Sequence, residues 1–154
     1  MDIKAGKPYP SGALSNFAPY KFTIDEVECN SMEGFLQSLK FKNPEMQKHI
    51  CTLVGLKAKM SGKNKKWYET QTLWWKGEPI KRDSEEYQNL LDKAYVALFS
   101  QNKKARNALL ATKNAVLKHS IGRRKINETV LTQQEFCSRL TNLRTELTLL
   151  DYVE

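Results

Sequence analysis

The chain has 154 residues, 40% of them hydrophobic, and a formal net charge of +8. This suits one domain over residues 1–154 with its own core, and the charge points either to an anionic partner (a phosphorylated small molecule, a nucleic acid, an acidic surface) or to plain solubility. Cys29, Cys51 and Cys137 are odd in number and lack paired spacing, which argues against a disulfide framework or a zinc site, and no apolar run has signal or membrane-spanning length. A soluble, cytoplasmic protein without a membrane partner is expected.

Residues 1–19 carry Gly6, Pro8, Pro10, Gly12 and Pro19, which predicts turns and irregular backbone. Within them lies Leu14-Ser-Asn-Phe17, whose polar residues suit turn backbone and whose Phe17 suits the core. Phe22-Thr-Ile24 and Val27-Glu-Cys29 alternate about Asp25-Glu26 as a small hairpin does. A helix follows from Asn30 or Ser31 as cap. On it Glu33, Gln37 and Lys40 fall at i, i+4 and i+7, one polar stripe bordered by Leu36 and Phe41. A carboxylate and an amine beside an apolar boundary are placed where desolvation shifts pKa values. An ordinary first-turn acid is the competing reading of Glu33. Gly34, beside the stripe, would let a ligand or another backbone come close.

Asn43-Pro44 starts the next helix, with Met46, Ile50, Leu53 and Val54 as its expected buried face and Gly55 as its end or bend. Residues 57–66 form the densest positive run, a solvated loop or a phosphate-gripping segment. Trp67, Tyr68, Trp74 and Trp75 follow, and of two adjacent tryptophans in an extended segment one faces inward and one outward. Residues 83–101 read as a core helix capped by Asp83 with Glu86, and a shorter helix includes Ala105, Ala108 and Leu109. Ala115, Leu117 and His119 alternate as a short strand would, and residues 120–129 form a basic loop around Gly122-Arg-Arg-Lys125. Thr132-Gln-Gln-Glu135 is a capping box opening a helix that buries Phe136, Leu140, Leu143 and Leu147.

No dinucleotide, Walker, HExxH or GxSxG pattern is present, and with two histidines a histidine-rich metal cluster is out of reach, so neither cofactor nor metal is expected. Catalysis then falls to Glu33 and Lys40, helped by His119. A lysine of lowered pKa attacks a sugar anomeric carbon, and a carboxyl group moves protons.

The ordered set Leu14-Ser-Asn-Phe17, Glu33-x-x-x-Gln37-x-x-Lys40-Phe41, Trp75-Lys-Gly77, Ala97-Leu-Phe-Ser-Gln-Asn102, Leu109-Leu-Ala-Thr112 and Leu140-x-x-Leu-Arg144 resembles the NADAR (NAD and ADP-ribose associated) family, which includes the YbiA-like N-glycosidases. The resemblance spans nearly the whole chain. It implies a single mainly helical α+β domain with a small antiparallel β element, and cleavage of an N-glycosidic bond. The substrates it implies are ribosylamino-pyrimidine phosphates of riboflavin synthesis, or ADP-ribose on guanine in DNA or RNA. Glu33 and Lys40 match the family's acid and lysine. Asn16, Phe17, Gln37, Trp75, Gln101 and Asn102 match motif positions that line or support a pocket, and Lys57, Lys59, Arg123 or Arg124 would hold phosphate. Where many members carry an acid and then Trp-Gly, this chain reads Leu117-Lys-His-Ser-Ile-Gly-Arg-Arg124, with His119 standing about where the acid would be. A module that binds ADP-ribose or modified nucleic acid without cutting it is therefore the alternative to an enzyme.

Overall fold

The structure is a computed structural model that describes residues 1–153. Two antiparallel hairpins form separate two-stranded sheets. In the first, β1 (Phe22–Ile24) pairs with β2 (Val27–Cys29), burying Phe22, Ile24, Val27 and Cys29 and exposing the residues between. Asp25 and Glu26 both have positive φ, 48° and 67°, the mirror-image turn whose twist matches that of the strands. The second hairpin, β3 (Thr72–Trp75) with β4 (Glu78–Lys81), turns the same way at Lys76 (φ 53°) and Gly77 (φ 86°). The strand expected around Ala115 to His119 is reduced to one parallel bridge between Asp2 and Lys118.

Helix α1 (Met32–Ser38) begins where Ser31 Oγ accepts the Gly34 amide at 3.0 Å. Lys40 lies just past its end, in a turn closed by Lys40 N to Gln37 O at 3.1 Å, so the stripe is carried by a helix and the turn that follows. Helix α2 (Pro44–Cys51) is capped by Asn43, whose Oδ1 accepts from the Glu45 and Met46 amides. Its buried face differs from expectation: Gln47, Ile50 and Cys51 are inside and Met46 is exposed, while Leu53 and Val54 lie beyond its end. Gly55, at φ 61°, opens helix α3 (Gly55–Ser61), which makes the first half of the basic run helical rather than a loop. Helix α4 (Trp67–Thr70) is a single turn. Helix α5 (Glu85–Gln101) is capped by Ser84, not Asp83, because Ser84 Oγ takes the Tyr87 amide at 3.1 Å. Helices α6 (Lys103–Ala111) and α7 (Gln133–Val153) complete the chain, and α7 opens on the reciprocal Thr132–Glu135 box at 2.8 and 3.1 Å.

The core gathers around α1 and α5. Phe35, fully buried, meets Trp75 edge-on at 5.2 Å and Phe22 at 6.3 Å. Tyr87, Leu91, Tyr95 and Leu98 of α5 belong to the same core as Phe136 and Leu140 of α7. At Gly34 the end of α2 crosses α1 so closely that an added Cβ would stand 2.6 Å from Leu53 O and 3.0 Å from Ile50 O. Backbone carbonyls cannot swing aside as a side chain does. Gly34→Ala is expected to cost about 1–3 kcal/mol by overpacking, read as a lower urea midpoint, and an unchanged midpoint would contradict this close crossing.

Candidate active site

Glu33 occupies the first turn of α1, its amide held by Asn16 O at 2.9 Å. Its carboxylate accepts from Gln37 Nε2 at 2.8 Å, the i to i+4 contact that the helical stripe predicts. Burial pushes its pKa up, and this outweighs the Gln37 hydrogen bond and the positive charges of Lys40 and Lys59 acting the other way. Burial likewise lowers the pKa of Lys40, against the pull of Glu33. Burial therefore disfavours the ionised form of each group, while each group's charge favours that of its partner. Gln37 Oε1 is buried without a hydrogen-bond partner among the described residues and faces Gly62, where a side chain would strike it at 2.1 Å.

Glu33 and Gln37 line a cavity of about 370 Å³. Asn16, Phe17 and Leu36 contribute to its walls, with Lys4, Lys59 and Arg123 as its cations. His119 reaches it on a loop tied to the N-terminal segment: its Nδ1 lies 2.8 Å from Ile3 O, and Asp2 accepts from the Ser120 amide at 2.8 Å and Ser120 Oγ at 2.6 Å. With Nδ1 engaged by a carbonyl, Nε2 is left as the other functional nitrogen. Thr129, Val130 and Leu131 supply a further wall. That wall is held from behind by Arg82 Nε to Thr129 O at 2.8 Å and by Tyr87 OH to Val130 O at 2.6 Å.

Seven residues expected at the site meet at this cavity: Asn16, Phe17, Glu33, Gln37, Lys59, His119 and Arg123. Asn16 acts from both ends, since its side chain also accepts from Tyr95 OH at 2.8 Å. Lys40 stands beside them but outside the lining, its Nζ turned toward Gly62 O at 3.5 Å. Five further residues expected at the site lie outside this cavity. Trp75 is core, its indole N–H donated to Asp25 at 2.8 Å, and it is Trp74 that lies half-exposed under Lys42. Gln101 completes the edge of β1 by bonding both Thr23 N and Thr23 O. Asn102 caps α6 and ties it to Lys21 O. Lys57 is an exposed residue of α3 outside the cavity, and Arg124 lines a neighbouring groove instead. Lys4 and residues 129–131 went unread, because only tertiary packing brings them to Glu33. Among the described residues no cluster of His, Cys, Asp and Glu is arranged to hold a metal ion, and no helix is long and apolar enough to cross a membrane.

The fold is similar to the NMR structure of the Escherichia coli protein YbiA, with a TM-score of 0.65 over 99% of this chain and 86% of that one, at 19% identity. This likeness concerns the fold, a YbiA-like α+β architecture. In sequence the chain is 41% identical over 150 residues to an uncharacterized 17.1 kDa protein of the Gp30–rIII intergenic region of Enterobacteria phage T4, covering 96% of this chain and 98% of that one. The family model for bacteriophage protein GP30.3 matches residues 8–145. A match of that extent, together with a full-length relative at this identity, places the chain in the bacteriophage GP30.3 family.

Proposed function

We propose that this protein is an N-glycosidase that hydrolyses the N-ribosyl bond of a phosphorylated ribosyl substrate. The resemblance to NADAR sequences suggests two, ADP-ribose carried on guanine in nucleic acid and a ribosylamino-pyrimidine phosphate. The observation that carries this reading is Glu33, a desolvated carboxyl group in a cavity whose remaining charged lining is cationic. Lys4, Lys59 and Arg123 suit phosphate, while a carboxyl of raised pKa suits proton transfer near neutral pH. Glu33 takes a proton from the attacking water as its oxygen bonds to the anomeric carbon. The carbon–nitrogen bond breaks with its electron pair on the base, and that nitrogen then collects the proton. Gln37 serves both states of Glu33, because its amide donates to the carboxylate through Nε2 and, turned over, accepts from the acid through Oε1. A covalent route through Lys40 requires its amine to turn away from Gly62.

Incubation with an ADP-ribosylated guanine oligonucleotide and with a ribosylamino-pyrimidine phosphate, followed by mass spectrometry, tests the reading. Release of the free sugar from at least one is expected, and neither being cut would overturn it. With a substrate in hand, turnover is expected to rise with pH through the raised Glu33 value, above the ordinary glutamate value of 4.5, since the base must be ionised. A limb centred at or below 4.5 would contradict Glu33 as that base. The replacement of the family's acid by His119 favours a second reading, a module that binds ADP-ribose without cleaving it. Tight calorimetric binding with substrate left intact would select it.

A further inference from the structure

Arg123 and Arg124 are adjacent in sequence, yet they serve different depressions. Arg123 lines the Glu33 cavity, while Arg124 lines a groove of about 620 Å³, and His119 lines both. The groove also takes Lys118, Ser120, Gln133 and Gln134, and none of its lining residues is acidic. Asp2 is the nearby acid, and it is occupied by Ser120 and Lys7. Among the described residues the side chains of Lys118 and Arg124 form no ion pair. The first turn of α7, opening at Gln133, adds the positive end of a 21-residue helix. Gly122 lines the Glu33 cavity, and a side chain there would strike His119 Cδ2 at 2.6 Å and Cγ of Gln133, a groove residue, at 3.0 Å. Its lack of a side chain keeps the His119 ring in place.

A sugar phosphate small enough for the Glu33 cavity has no use for a second cationic groove across a shared wall. A ligand with charges repeating along its length does. We propose that the Lys118–Arg124 groove is a second anion subsite that holds a phosphodiester of a nucleic-acid strand while the modified nucleotide of that strand sits at Glu33. This rests on the N-ribosyl hydrolase reading for what happens at Glu33, and it selects a polynucleotide over a free pyrimidine phosphate as the substrate. The strand is gripped by its backbone, so the grip is independent of base sequence.

The test is the salt dependence of binding, which does not require hydrolysis. Fluorescence anisotropy with a labelled, unmodified single-stranded oligonucleotide compares the wild-type protein, the double variant Lys118→Ala/Arg124→Ala, and a control, Lys103→Ala/Lys104→Ala, which removes the same charge from the exposed start of α6. The groove variant is expected to bind on the order of tenfold more weakly at low salt and to lose about 1.4 from the slope of log affinity against log salt, two single-strand phosphate contacts at about 0.7 each. The control is expected to stay within about twofold of wild type, since its charges lie outside the groove. Groove and control variants weakened alike, a groove variant that binds as wild type does, or a wild type that does not bind the strand would each overturn the proposal. Strand binding that depends on the groove, with no sugar released from any substrate, would sink the hydrolase reading and leave the subsite standing.

Discussion

Glu33→Gln is expected to abolish turnover while leaving the protein folded and somewhat more stable. Gln cannot take a proton from water, and loss of a positioned general base costs about a hundred- to ten-thousandfold in rate. The stability change has the opposite sign from most losses of a charge in contact with a partner. Burial raises the folded-state pKa of Glu33 above 4.5, so the native protein holds that proton more tightly than the unfolded chain does. The native state therefore gains from this group below the unfolded value, and the gain is lost as pH rises through the folded value. At neutral pH the ionised carboxylate is a net cost that Gln removes, while its amide still bonds Gln37. A higher melting temperature with turnover down at least a hundredfold is the expected pair of results. Near-normal turnover would remove Glu33 from the chemistry, and a large fall in melting temperature would make it a structural residue.

The second large effect is expected at Arg82, which is fully buried behind the Thr129 wall of the cavity. Its guanidinium meets Glu135 through two bonds of 3.0 and 2.6 Å, and its ring-facing side lies 4.7 Å from the centre of Tyr87. Arg82→Leu strands a buried carboxylate and is expected to cost about 3–5 kcal/mol, a fall in melting temperature of about 10 °C for a chain of this size. Removing both charges, as Arg82→Leu/Glu135→Leu, is expected to recover part of that loss. The recovery is incomplete because Glu135 also accepts from Gln88 and the Thr132 amide. The pH dependence runs opposite to that of Glu33. Burial alone would raise the Glu135 pKa, but the Arg82 and Gln88 hydrogen bonds hold it below the ordinary 4.5. Its stabilisation is present above 4.5 and is lost as pH falls through the folded value. Acid melts of wild type and the double variant are therefore expected to converge, and parallel curves would contradict the assignment. Since Arg82 also holds Thr129 O, its loss should loosen a wall of the Glu33 cavity as well as the core.

What could be read in advance was what local chemistry decides. The Asn43 and Thr132 caps, the Asp25-Glu26 hairpin and the Glu33–Gln37 contact each depend on residues within about four positions, and each forms where the pattern places it. The extended segment at Trp74 and Trp75 forms as β3 with Trp75 turned inward, whereas its partner β4 leaves little pattern of its own beyond Gly77 at the turn. Gln101 and Asn102 look like pocket residues by type, but amides satisfy a lone sheet edge and a helix start equally well. The basic run divides for a similar reason: Ala58 is fully buried, and that single apolar anchor draws its first half into a helix. Lys4 and the wall at residues 129–131 left no local trace, since Glu33 lies more than twenty-five positions from each of them.

The bridge between Asp2 and Lys118, and the contact of Ile3 with His119, join positions 116 apart in the chain. A nascent polypeptide that has emerged only as far as α6 already has Glu33 on its helix but lacks the histidine loop and the wall beyond it. The cleft is thus completed only once residues 119–131 have emerged, late in synthesis.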